Sequence, residues 1–216
     1  MKPEPRLSRQ TLQQISPHDH LELPDPALFT LPEKVLQFGT GVLLRALPDQ
    51  LIDRANKLGV FNGRIVMVKS TPGDVSAYER QDGLYTVCVR GLENGKILEQ
   101  NIVNASISRV LAARTQWQEV LHCASDPGIR IIISNTTETG IKKSTEALGP
   151  GMPESFPGKL LAFLHERFKC FQGDAESGMV IVPTELIPHN GQVLQNILCE
   201  LAMENGLGPS FLEWLK

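Results

Sequence analysis

Four short apolar runs punctuate the chain, and the stretches between them carry apolar residues at helical spacing. The runs are Val35 to Phe38, Arg64 to Val68, Ile129 to Ile133 and Met179 to Val182. Their length and β-branched content predict strands of a parallel sheet, buried on both faces. After the first run, Leu44, Leu47, Leu51, Ala55 and Leu58 are spaced as one face of a helix. Pro48 favours a main helix beginning near Leu47, with Leu43 to Ala46 as a tighter lead-in turn. Further helices are predicted from Thr115 to Ala124, through Leu160, Leu161, Phe163, Leu164 and Phe168, and through Val193, Ile197, Leu198, Leu201 and Ala202. Alternation of strand and helix gives an α/β class with an open, mostly parallel sheet. Leu84 to Arg90 and Lys96 to Val103, around Glu93-Asn94-Gly95, read as a β-hairpin inserted in that sheet.

The ends of the chain read differently. Residues 1–33 hold six prolines among polar residues and predict an extended leader on the domain surface. Residues 34–208 are expected to form the main domain. Residues 209–216 begin a helix whose Phe211, Leu212, Trp214 and Leu215 have no following element to pack on. They are therefore expected to open a further, helical C-terminal domain.

Chemistry enters at the first strand's end. In Phe38-Gly39-Thr40-Gly41-Val42-Leu43-Leu44-Arg45, Gly39 permits a tight turn and Gly41 lets the backbone approach a pyrophosphate, whose charge suits a helix N-terminus. This fits the opening of a Rossmann-like dinucleotide fold, and equally a plain glycine exit from a strand, since the third glycine position is Leu44. Arg45 is placed near the same phosphates. The second strand ends in Lys69-Ser70-Thr71, where an acid normally accepts the adenosine ribose hydroxyls, and the nearest acid is Asp74. That departure leaves NADP open beside NAD. The third strand ends in Ser134-Asn135-Thr136-Thr137-Glu138 and the fourth in Pro183-Thr184-Glu185-Leu186-Ile187-Pro188-His189-Asn190, both polar and both on the edge where open α/β sheets bind ligands. Thr136 or Thr137 equally fits a turn cap. Glu185 and His189 fit either an acid–base pair or a capping carboxylate and a solvated loop histidine. Asn190 fits an oxyanion donor or a left-handed turn before a helix.

Composition narrows the partners. With 216 residues, 41% of them hydrophobic, the chain can bury a sizeable core. A net charge of −3 and a pI near 6 offer no footprint for nucleic acid or anionic membrane. No run approaches the roughly 18 apolar residues of a spanning helix and no signal peptide opens the chain, so a cytoplasmic location is expected. Cys88, Cys123, Cys170 and Cys199 lie far apart and read as reduced, mostly buried thiols. His18-x-His20 sits in the polar leader, and no metal site is expected.

On the motifs Phe38 to Ala46, Ile133 to Glu138 and Pro183 to Gly191, the chain resembles the polyol-specific long-chain dehydrogenases, the family that includes the mannitol dehydrogenases. The family's glycine signature is G-x-G followed by an arginine four residues on, which Gly39, Gly41 and Arg45 match, so Leu44 is no obstacle. The resemblance implies reversible hydride transfer between NAD(H) and the keto group of a sugar or sugar acid. Tagaturonate and altronate are the expected pair, with fructuronate or mannitol as alternatives, and a non-enzymatic nucleotide-sensing domain as the rival of another class. It also implies cofactor contacts from Phe38, Gly39, Gly41 and Arg45, from Ser70 and Thr71 at the adenosine ribose, and from Asn135, Thr136 and Glu138 at the nicotinamide. Asn190 would line the substrate side. The family's catalytic lysine lies in a C-terminal domain beyond Lys216, so this chain is expected to be the cofactor-binding half, inactive without that partner domain.

Overall fold

The computed structural model describes residues 6–16, 18–136 and 140–216. In chain order the described elements are α1 (Arg9–Leu12), β1 (Leu21–Glu22), a 3-10 turn (Pro26–Thr30), β2 (Glu33–Phe38), α2 (Val42–Ala46), α3 (Pro48–Lys57), β3 (Arg64–Lys69), α4 (Ser76–Glu79), β4 (Tyr85–Glu93) and β5 (Lys96–Asn104). They continue with β6 (Ile107–Ala112), α5 (Trp117–His122), β7 (Ile131–Ser134), α6 (Phe156–Cys170), β8 (Val180–Pro183), α7 (Asn190–Glu204) and α8 (Pro209–Trp214).

Five strands form one sheet in the order β6-β3-β2-β7-β8. Numbered along the chain these are third, second, first, fourth and fifth, the Rossmann order, and the direction of winding reverses between β2 and β7. Those two strands pair in parallel with Val35 opposite Ile131 and Phe38 opposite Ser134. β7 pairs in parallel with β8, from Ile131 opposite Val180 to Ser134 opposite Pro183. The three strand ends therefore stop level with one another. Val35, Leu36, Ile65, Val66, Met67, Val68 and Ile132 are excluded from solvent, as double-faced burial of a parallel sheet requires. β8 departs from the expectation. It is the sheet's edge, and Val180 and Val182 are 62% and 40% exposed.

Contacts divide the chain into two compact units, one of 1–33, 40–67 and 74–110, the other of 34–39, 68–73 and 111–216. In the first, the hairpin was expected inside the main sheet but forms a sheet of its own. β4 and β5 pair antiparallel over nine residues, Asn94 and Gly95 turn with positive φ of 52° and 76°, and β1 adds in parallel beside β5. The leader is thus not simply extended. Its α1 is closed by a Ser8–Thr11 capping box, and Leu7, Leu12, Leu21, Leu23 and Phe29 pack against Leu84, Val103 and Ala105.

The helix after the glycine turn divides near Leu47, where Pro48 led a break to be expected, but its apolar spacing does not mark the buried face. Leu47 closes α2 with φ −123° and ψ −77°, and α3 starts afresh at Pro48. It buries Asp49, Asp53 and Asn56 and leaves Leu47, Leu51 and Leu58 exposed. The buried face meets backbone. The amide of Ala105 donates to Asp53 Oδ1 at 2.8 Å, Asn56 exchanges two bonds with Gly63, and Lys57 joins Asp53 to Glu22 at 2.6 Å each. A loop edge with unpaired amides selects acids and amides where a sheet face would select leucines.

In the second unit, α6 buries Leu160, Leu161, Phe163 and Leu164. Ser155 caps it by accepting from the Gly158 amide. α8 does find a surface to pack on, the C-terminal half of α6. Phe211 is fully buried against His165 and Phe168, and Trp214 meets Phe168 edge-on and stacks on Phe211.

Candidate functional site

The first strand leaves the sheet through Gly39, whose φ of 127° only glycine adopts without strain. Its amide donates to Val68 O at 3.1 Å, and Gln37 Nε2 donates to its carbonyl at 3.3 Å. Phe38, expected among the cofactor contacts, puts its ring in the core against Phe156, with centroids 5.5 Å apart. Only its backbone reaches the strand end, where Phe38 O accepts from the Asn135 amide at 3.2 Å.

Gly41 is different from Gly39. Its φ of −67° suits any residue, and a Cβ built there would meet nothing within 4 Å. The open backbone continues into α2, which at five residues carries little more than one turn of dipole, so a long helix N-terminus is not what would hold an anion here. Arg45 is the charged group on this turn. Its Nε donates to Thr40 O at 3.2 Å, and its Cζ lies 5.6 Å from the Tyr85 ring centroid. Tyr85 Oη donates to Arg45 O at 2.9 Å. The two terminal guanidinium nitrogens have no hydrogen bond or ion pair among the described residues. A half-buried guanidinium without a carboxylate is a natural anion site. Tyr85 escaped the sequence reading because nothing local ties position 85 to position 45.

The ends of β7 and β8 are laced together. Thr184 donates twice to Ser134 O, from N and Oγ1 at 2.8 Å each, and Asn135 Nδ2 donates to Thr184 O and Oγ1 at 3.0 Å. Glu185, 4% exposed, accepts from Thr136 N at 2.9 Å, Thr136 Oγ1 at 3.0 Å and Ser134 Oγ at 3.2 Å. A carboxylate so engaged is a clamp, and it forms no pair with His189, which is exposed and begins α7 in the left-handed region at φ 54°. Asn190 Nδ2 donates to Pro183 O at 2.8 Å and Glu185 O at 3.1 Å, holding the turn. The structure thus brings Asn135, Thr136 and Asn190 together around Glu185. Glu138 lies outside the described residues.

At the end of β3, Lys69 Nζ donates to Thr71 O at 2.9 Å and Thr71 Oγ1 at 3.0 Å, with Ser70 half-buried between them. Asp74 accepts from Ser76 Oγ. Among the described residues no group of three His, Cys, Asp or Glu could hold a metal, and no helix is long and apolar enough to cross a membrane. The thiols are free and, against expectation, Cys88 and Cys170 are exposed and only Cys123 is buried. An open groove of about 520 Å³ runs beside β8, lined by Val180, Leu194, Leu198, Trp214 and Leu215.

With this geometry in place, comparison with known proteins is informative. Residues 33–216 match the family model described as the mannitol dehydrogenase Rossmann domain. The chain is 42% identical over 189 residues to the altronate oxidoreductase of Halalkalibacterium halodurans, covering 86% of this chain and 37% of that protein. It is 37% identical over 186 residues to that of Bacillus subtilis, covering 85% and 39%. Among solved structures it is similar to the Pseudomonas fluorescens mannitol 2-dehydrogenase ternary complex with NAD and D-mannitol, at a TM-score of 0.78, 22% identity and coverage of 97% and 44%. The chain thus spans less than two fifths of the length of these curated relatives.

Proposed function

The chain belongs to the mannitol dehydrogenase Rossmann-domain family, and from that membership we propose that it forms the cofactor-binding part of an NAD-dependent cytoplasmic oxidoreductase interconverting tagaturonate and altronate. The observation that carries the cofactor reading is the pairing of an open backbone at Gly41 with a half-buried Arg45 that has no carboxylate partner among the described residues. The pyrophosphate would lie over Gly39 and Gly41 with Arg45 as its counter-charge. Ser70 and Thr71 would receive the adenosine ribose. NAD is favoured over NADP because Lys69, the nearest cation in sequence, spends its ammonium on Thr71.

The bound nicotinamide would supply the hydride. The protein's part is to orient it: Glu185 fixes Thr136, Thr184 fixes Asn135, and these two strand-end residues, with Glu138, are assigned to the nicotinamide side. Asn190 is assigned to the substrate side, where its turn-holding bonds make it a rigid neighbour. The groups that move the proton are placed in the part of the longer relatives that this chain does not match. The choice of tagaturonate rests on relatives named altronate oxidoreductase.

Titrating NADH against residues 1–216 by fluorescence or calorimetry tests the first half. Saturable binding, tighter for NADH than NADPH, is expected, and no saturable binding removes the glycine turn as a cofactor site. A substrate panel of tagaturonate, fructuronate and fructose on the longer protein tests the second, with tagaturonate expected to give the highest kcat/KM.

A further inference from the structure

We propose that Tyr85, at the start of β4, is a positioning residue that presents Arg45 to the cofactor pyrophosphate. The proposal rests on the cofactor reading above.

Arg45 is tethered at three points. Its backbone carbonyl takes the Tyr85 hydroxyl at 2.9 Å, its guanidinium lies over the Tyr85 ring, and its Nε is bound to Thr40 O within the glycine turn. These contacts use the root and the Nε of the side chain and none of its terminal nitrogens, which leaves four N–H donors for an anion. An arginine on a short, solvent-facing turn otherwise surrenders much side-chain entropy when it grips a ligand. A ring beneath the guanidinium pre-orders it, so that less is lost on binding. The phenol is suited to the task. Burial, reinforced by the Asp49 carboxylate, pushes its ionisation far above the ordinary tyrosine range, so at neutral pH it is a protonated donor. The β4–β5 hairpin, which lies outside the Rossmann sheet, thereby acquires a role in cofactor binding.

The test is a double-mutant cycle read as NADH dissociation constants of the 216-residue chain, with urea unfolding of each variant alongside. Tyr85→Phe keeps the ring and removes one hydrogen bond, and is expected to weaken NADH binding about three- to tenfold. Tyr85→Leu removes the ring as well and is expected to weaken it by more than about tenfold. In an Arg45→Leu background, Tyr85→Leu should produce almost no further loss, because its effect passes through Arg45. An equal loss in both backgrounds overturns the proposal and makes Tyr85 a general structural residue. Wild-type binding that Arg45→Leu weakens and Tyr85→Phe leaves unchanged also overturns it, while leaving the cofactor reading standing. Absence of NADH binding by the wild-type chain overturns both. Tyr85→Phe preserves volume and burial, so the cycle stays decisive if Tyr85→Leu proves too unstable to measure.

Discussion

Gly39 and Gly41 stand two residues apart and owe their identity to different demands. At φ 127°, Gly39 is required by the backbone, and Gly39→Ala should cost about 1–3 kcal/mol in urea unfolding. Gly41 adopts an ordinary conformation over empty space, so the folded chain alone gives no reason for a glycine. Gly41→Ala should leave stability within about 0.5 kcal/mol of wild type and weaken NADH binding at least tenfold, as measured by titration. The reverse pattern would show that the turn does not meet a ligand at Gly41. Leu44 is equally instructive. It occupies the third glycine position of the usual fingerprint and is completely buried, so here the helix is packed by a large side chain where other dinucleotide folds use close approach. The sequence carried the glycines openly because backbone demands are local. It did not carry Tyr85, whose contact with Arg45 spans forty residues, nor the clamp role of Glu185, which depends on the register that sets Ser134 opposite Pro183.

At the scale of elements, α3 shows why periodicity located a helix and not its buried face. Leu47, Leu51, Ala55 and Leu58 have helical spacing, but Asp49, Asp53 and Asn56 have it too, on the other side, and the side that is buried is decided by the polar backbone of Ala105 and Gly63. Asp53→Ala should therefore destabilise by about 2 kcal/mol, leaving the buried Ala105 amide unpaired and Lys57 with Glu22 as its remaining partner, whereas Leu51→Gln should change stability by less than about 0.5 kcal/mol. Equilibrium denaturation of the two variants checks the assignment. β6 was missed by the pattern because its Ile107-Ser108-Arg109-Val110 lacks a continuous apolar run, yet it carries an ion pair with a pH signature. Arg109 bonds Glu33, at the start of β2, at 2.9 Å. Burial works to raise the Glu33 carboxyl, but hydrogen bonds from Arg109 and Ser108, with the charges of Arg109 and Arg64, outweigh it and hold the group below its ordinary range. A carboxylate that ionises more readily folded than unfolded stabilises above the unfolded pKa, about 4.3, and loses that contribution as pH falls through the folded value. Stability should decline below about pH 4.3, and Glu33→Gln should flatten that decline in urea midpoints measured from pH 6 to 3.

For the whole chain, four of the five strands of the parallel sheet were legible because strands buried on both faces announce themselves as apolar runs, whereas their order and the reversal between β2 and β7 are set by pairing that no local pattern carries. What stayed hidden was which strand forms the edge. Met179 to Val182 reads like a central strand and is exposed at Val180 and Val182, with the groove of Leu194, Leu198, Trp214 and Leu215 alongside. An unprotected parallel edge flanked by apolar side chains is a template for pairing with another chain. The 216-residue chain is accordingly expected to associate as its concentration rises, and light scattering should show Val182→Lys suppressing this without loss of NADH affinity. The same edge bears on how the chain behaves in the laboratory. Exposed at Val180 and Val182, β8 makes self-association compete with ligand for the chain in solution, and a gatekeeper charge on that strand separates the two.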